Sequence, residues 1–184
     1  EYTVNADSTV DVTERQVFDY EGTYNKGWRS ISHKGVSAIT DIRVIDGETG
    51  EELIRSITEP DKTDPDDRGR YHVSRNSDST DVSWYYDLTD TTYEWIISYR
   101  LHGAVSFLSD KDELYWNAIG DGYGVPIEKV RVTVRIPEGA DIGDLQLASY
   151  GGRTFGGTVT ESITDNRTFV FEAGRIPPGE FFTI

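Results

Sequence analysis

Residues 92–101 alternate with a period of two. Tyr93, Trp95, Ile97, Tyr99 and Leu101 share one parity, and mostly polar residues lie between them. An extended strand turns successive side chains to opposite faces, so this series makes one apolar face of a strand and scatters around a helix. Residues 130–136 repeat the pattern, with Val130, Val132, Val134 and Ile136 set against Arg131, Thr133 and Arg135. Shorter strand patterns run over residues 9–20, 39–45, 53–57, 71–74, 82–88, 158–163 and 168–171. In the first of these, Glu14 and Gln16 fall on the parity of Val10, Val12, Phe18 and Tyr20, which predicts a bulge or an edge position there. Asp46-Gly47-Glu48-Thr49-Gly50 and Asp165-Asn166 read as hairpin turns. Many short strands with closely spaced turns predict an all-β fold: an antiparallel β-sandwich, immunoglobulin-like in general shape, with at most one or two short helices. The helix candidate is 110–120, where Ser109 or Asp110 can cap and acidic residues fill the first turn.

With 184 residues the chain is long enough for one domain, or one domain with a subdomain. It can bury roughly 70% of its unfolded surface without a metal or a disulfide. The net charge of −15 argues against nucleic acid, because phosphate contacts need clustered Lys and Arg. It argues equally against an anionic lipid surface. The absence of Cys excludes disulfides, thiolate zinc sites and cysteine nucleophiles. The chain also lacks Met, begins at Glu1 and ends in the strand-like run Phe181-Phe182-Thr183-Ile184. The expectation is a single domain, 1–184, excised from a longer protein. No signal peptide or membrane-length apolar run lies within it.

The chemistry-bearing motifs are sparse. His33, His72 and His102 show no zinc spacing. Residues 58–70 form an acidic, proline-bearing loop in which Asp61, Asp64, Asp66 and Asp67 could supply oxygen ligands to calcium, the one cofactor considered. Counted from Asp61, the twelfth and closing EF-hand position is His72, not Glu, and a solvated acidic loop is the plainer reading. The stretch Gly151-Gly152-Arg153-Thr154-Phe155-Gly156-Gly157 lacks the Lys-Ser/Thr of a phosphate loop and reads as a flexible hairpin connection. No nucleophile motif is present. A carboxylate pair of the glycosidase kind cannot be picked out among 33 acids. Of the four tryptophans, Trp95 reads as core and Trp84 as half-buried beside Tyr85 and Tyr86. Trp28 and Trp116 read as loop residues open to a ligand such as a sugar.

The least generic stretch is Glu113-Leu114-Tyr115-Trp116-Asn117-Ala118-Ile119-Gly120, followed by Tyr123-Gly124-Val125-Pro126-Ile127. Weighed as a whole, it reads as a packed corner joining two strands. Upstream lie Val10-Asp11-Val12-Thr13-Glu14, Phe18-Asp19-Tyr20-Glu21-Gly22 and Asn25-Lys26-Gly27-Trp28-Arg29-Ser30-Ile31. Tyr99-Arg100-Leu101-His102-Gly103-Ala104-Val105 precedes the corner, and Ile176-Pro177-Pro178-Gly179-Glu180 closes the chain. In order and spacing these motifs resemble the YciQ-like predicted membrane proteins, whose shared domain is known as domain of unknown function 2207. The resemblance spans nearly the whole chain. It implies a bacterial extracytoplasmic domain, with a signal segment before it and membrane helices after it, and it implies no catalytic residues. The chain departs from the family pattern at Ser30, where Asp is frequent, and at Ser32, where Pro is common.

Together these readings predict a non-catalytic binding or assembly module on the extracytoplasmic face of the membrane, tethered by flanking segments, whose partner is a protein or a cell-envelope ligand. The alternatives are a calcium-dependent adhesion domain and a cell-envelope hydrolase using a carboxylate pair. The candidate ligand-binding residues are Trp28, Arg29, Tyr115, Trp116, Asn117 and Tyr123.

Overall fold

The alternating segments become strands in the computed structural model, which describes residues 1–143, 145–151 and 159–184. In chain order the strands are β1 (Tyr2–Val4), β2 (Val10–Ser32), β3 (Ala38–Asp46), β4 (Ile54–Ser56), β5 (Arg70–Arg75), β6 (Ser79–His102) and β7 (Val105–Phe107). They continue as β8 (Asp112–Leu114), β9 (Asn117–Ile119), β10 (Val130–Arg135), β11 (Tyr150–Gly151), β12 (Val159–Asp165), β13 (Thr168–Ala173) and β14 (Phe182–Thr183). One 3₁₀ turn, Pro65–Asp67, is the helical element among the described residues. The fold is all-β, with antiparallel and mixed sheets consistent with a sandwich. The glycine-rich stretch beyond Gly151 lies outside the described residues.

The chain divides into two compact units. One comprises Glu1–Val12, Gly35–Ala38 and Leu101–Ile184; the other comprises Thr13–Lys34 and Ile39–Arg100. In the first unit the strand order is β12-β13-β10-β1-β2, with β1 parallel to β10 and β12-β13, β13-β10 and β1-β2 antiparallel. The predicted alternation of β10 finds its partners on β13: Val132 lies opposite Phe171 and Val134 opposite Phe169, all buried. The hairpin expected at Asp165-Asn166 joins β12 to β13, and the Asp165 carboxylate accepts from the Arg167 N–H at 2.8 Å.

In the second unit the order is β2-β6-β5-β4, and β3 also pairs with β6. Side-chain bonds from Ser30 to Asp81, Thr23 to Thr89 and Thr92 to Asp19 step along β2 and β6 in opposite directions, so the two run antiparallel. Both strands are longer than their sequence predicts. Burial in β2 follows even positions from Val10 to Tyr20 and odd positions from Gly27 to Ile31. In β6 the even positions through Leu88 and the odd positions from Thr91 are the more buried, with Ser83 and Tyr85 buried as well. Each change of phase contains a left-handed residue, Gly22 at φ 92° and Asp90 at φ 45°. The Asp90 carboxylate accepts from the Gly22 N–H at 2.7 Å and ties the two irregularities together. A phase change inside a strand looks in sequence like the end of one strand and the start of another. That is why residues 82–88 and 92–101 read as two strands, and why the first strand seemed to stop at Tyr20.

Glu14 needs no bulge. Alternation passes through Glu14 and Gln16 unbroken, because Glu14 meets a buried cation. The hairpin turn expected over 46–50 forms after β3, closed by the Gly50 N–H on the Asp46 carbonyl at 2.8 Å. Ile45 bridges Glu52 as a hairpin would, but the chain then leaves to form β4, which runs parallel to β5.

The core of the second unit is aromatic. Trp84 is fully buried rather than half-buried, and Trp95 is buried as expected. Tyr86 and Tyr93 pack on the Trp95 ring at centroid distances of 4.9 and 5.1 Å. Buried Tyr and Trp need partners for their polar tips. Trp95 Nε1 donates to the Tyr20 hydroxyl at 3.1 Å, and the Tyr20 and Tyr86 hydroxyls lie 2.9 Å apart.

Candidate functional site

The helix expected over 110–120 is absent; the chain is extended there. Strand β8 pairs with β7, Val105 opposite Leu114, and β9 pairs with β14, Phe182 opposite Ile119. The first pairing is a tight hairpin whose turn is closed by the Leu108 N–H on the Lys111 carbonyl at 2.8 Å, and the second is long-range; together they override a weak local helix signal. Trp116 sits between β8 and β9 and exchanges both backbone hydrogen bonds with Ile184, at 3.0 and 2.9 Å. Its indole is 4% exposed. Next to it, Asn117 accepts from the Thr183 hydroxyl at 2.6 Å. The Tyr123 carbonyl accepts from the Gly179 N–H at 2.8 Å. Trp116 is thus packed into the corner, and it fastens the closing strand through its backbone while Asn117 does so through its side chain. Tyr115 points to solvent, 57% exposed. Among the described residues, the buried Trp116 Nε1 has no hydrogen-bond partner.

Trp28 and Arg29 belong to the other unit and occupy a strand, not a loop. Their fates are opposite, as neighbours on a strand require. The Arg29 guanidinium is buried and grips Glu14 with two donors, Nε to Oε2 at 2.9 Å and Nη2 to Oε1 at 2.8 Å. The Tyr99 hydroxyl and the Gln16 amide also donate to Glu14, each at 2.7 Å. Burial by itself would raise the Glu14 carboxyl. The Arg29 charge and the hydrogen bonds from Arg29, Tyr99 and Gln16 outweigh it and hold the group below its ordinary value of 4.5. Arg29 therefore serves the fold, its guanidinium engaged by Glu14 and by the Ser30 carbonyl.

Trp28 faces the other way and is 48% exposed. Its surroundings follow from the register. Ser30 bonds Asp81 at 2.5 Å, and the Lys26 ammonium lies 5.4 Å from the centre of the Tyr85 ring. These two pairs bracket Trp28 and set it opposite Ser83. Ser83 in turn lies opposite His72, and His72 opposite Ser56. One row of side chains thus crosses β2, β6, β5 and β4. In the adjacent row, Glu59 accepts from Lys26 at 2.7 Å and from the Tyr85 hydroxyl at 3.0 Å. Burial would lower the Lys26 pKa, but its bonds to Glu59 and Tyr85 leave it raised. Glu59 is correspondingly lowered, first by the Lys26 hydrogen bond. Ser83 and Tyr85 are buried beneath this layer.

Sequence reading found Trp28 but missed Ser83, His72, Lys26 and Glu59 around it. The one local signal was Lys26 two positions before Trp28, which a strand places on the same face.

In the acidic loop, Asp61 accepts from the Thr63 N–H and hydroxyl, both at 2.8 Å, which hold its carboxyl below the ordinary 3.8. Asp64 caps the 3₁₀ turn through the Asp66 N–H at 3.0 Å. Asp67 accepts from the Asp61 N–H at 2.7 Å and pairs with Arg70. Among the described residues, no group of three or more His, Asp or Glu side chains is placed to hold a metal ion.

Among the described residues, no helix is long and apolar enough to cross a membrane. No curated protein and no solved structure matches the chain. One family does, over residues 1–184, and the order of motifs from the Val10 strand through the Trp116 corner to Pro177-Pro178 runs along the whole of that match. The chain belongs to the family described as predicted membrane protein (DUF2207) N-terminal domain.

Proposed function

We propose that this chain is a non-catalytic binding module of a membrane-anchored protein, displayed on the extracytoplasmic side, and that it engages its partner through the sheet face around Trp28. The observation that carries this reading is the exposure of Trp28. A large indole stands 48% exposed in mid-strand while Arg29 and Ile31 beside it are buried. Leaving that much apolar surface in water costs stability that burial would recover, and an exposed aromatic among convergent polar groups is a common form of binding surface. The membrane side draws support from membership of a membrane-protein family and from the likeness of the motifs to extracytoplasmic domains.

The test is sedimentation with washed cell envelopes. The wild-type chain is expected to sediment, and Trp28→Ala is expected to stay in solution with an unchanged circular dichroism spectrum. Equal sedimentation of the two proteins would refute the assignment. Protease access to the domain in intact spheroplasts tests the side of the membrane independently.

A further inference from the structure

The Trp28 face also carries information about the class of ligand. Trp28 has polar neighbours: Ser83 across the strand pair, Lys26 and Ser30 along β2, and His72 one strand further. The other exposed apolar side chain in these rows, Ile54, lies on β4, with β6 and β5 between it and Trp28; the two make separate small apolar spots, whereas protein docking uses contiguous surfaces of several hundred Å². The charged groups of the face are also engaged with one another or with neutral donors. Lys26 is matched by Glu59, Arg70 by Asp67, and Asp81 accepts from Ser30, Ser79 and Asn76. With a net charge of −15 over the chain, a polyanion is repelled, and among the described residues no group of three or more His, Asp or Glu side chains is placed to hold a cation. A neutral ligand with one flat apolar side and many hydroxyls fits these limits. A pyranose ring has that form, with C–H bonds on one face and hydroxyls around its rim. His72 is set to contribute: its Nδ1 lies 3.2 Å from the Ser56 carbonyl oxygen, so Nδ1 donates there and Nε2 is the ring atom that can meet a ligand hydroxyl.

We infer that the Trp28 face binds an uncharged oligosaccharide, with the indole stacked on a sugar ring and His72, Lys26 and Glu59 bonding its hydroxyls. This inference rests on the binding-module reading above and narrows it to one ligand class.

The experiment titrates the isotope-labelled 184-residue chain with cellotriose and with tri-N-acetylchitotriose, following the tryptophan indole resonances. The Trp28 indole signal should shift with at least one probe while that of buried Trp84 stays in place. Trp28→Ala should weaken binding by roughly tenfold or more, and Trp28→Phe should restore part of it. If neither probe moves the Trp28 signal at millimolar concentration, while Trp28→Ala still abolishes envelope sedimentation, the sugar assignment is wrong and the binding-module reading stands. If Trp28→Ala sediments like the wild type, both are wrong.

Discussion

Trp84 lies over Gly27 so closely that a Cβ placed on the glycine would sit 2.1 Å from Cε2 of the indole. The two residues occupy neighbouring strands of the second unit, and the missing side chain is the space the ring fills. Gly27 is thus a packing residue. Its backbone is not among those with positive φ, so conformational freedom is not what the position requires. Gly27→Ala should destabilise the chain by about 1–3 kcal/mol through overpacking, read as a lower denaturation midpoint. Gly22→Ala should also destabilise, for a different reason: its φ of 92° is unfavourable for any residue with a Cβ, although nothing lies within 4 Å of the added carbon.

The Glu14–Arg29 pair makes a second prediction. Removing one partner strands a buried charge, so Glu14→Gln should cost about 3–5 kcal/mol, and simultaneous replacement of both residues should cost less than Glu14→Gln alone. The pH dependence follows from the lowered carboxyl. A carboxylate held below its unfolded value adds stability that is present above the ordinary 4.5 and is lost as pH falls through the folded value. Melting temperature should therefore drop as the solution is acidified past that point, with a shallower slope in Glu14→Gln. An identical slope in the two proteins would remove Glu14 from the account.

The aromatic core predicts the alkaline limb. Burial, then the hydrogen bond to Asp46, push the Tyr93 phenol up to about 12. Burial likewise raises Tyr20, Tyr71 and Tyr86. Raised phenols stabilise the fold fully below their unfolded value near 10 and lose that contribution as pH climbs through the folded values. Spectrophotometric titration should show these tyrosines ionising late, together with unfolding. Ionisation of every tyrosine near pH 10, with the near-ultraviolet circular dichroism intact, would contradict their burial.

How much of this was legible in the sequence depends on how local its cause is. The alternation from Tyr93 to Leu101 and from Val130 to Val134 announced strands, because side-chain period is a local property. The continuity of β2 and β6 was hidden by the phase changes at Gly22 and Asp90, which mimic chain turns. Trp84 looked half-buried because the space it fills is made by Gly27, far away in sequence. Residues 110–120 read as helical because acidic residues after a capping candidate mimic a helix start, whereas a hairpin with β7 and the distant strand β14 hold them extended. At the site, Trp28 and Trp116 both read as open, and only one of them is. Trp116 proved buried and Trp28 exposed, and the groups that give Trp28 its chemical setting arrive from β4, β5, β6 and the loop bearing Glu59.

Calcium offers a direct check on the acidic loop. Asp61, Asp64 and Asp67 already accept hydrogen bonds from backbone N–H groups of their own loop. Calcium addition should release no measurable heat in calorimetry and leave the melting temperature unchanged. A saturable calorimetric signal lost in Asp61→Asn would instead establish an adhesion-type site there.

The central claim is a division of labour between two tryptophans, Trp28 for binding and Trp116 for the fold. The measurement that tests it most directly pairs melting temperature with envelope sedimentation for Trp28→Ala and Trp116→Ala. Trp28→Ala should melt like the wild type and fail to sediment. Trp116→Ala should lose about 3–5 kcal/mol of stability, yet sediment normally at temperatures where it remains folded. A Trp28→Ala chain that sediments like the wild type, or that unfolds as readily as Trp116→Ala, would contradict the account.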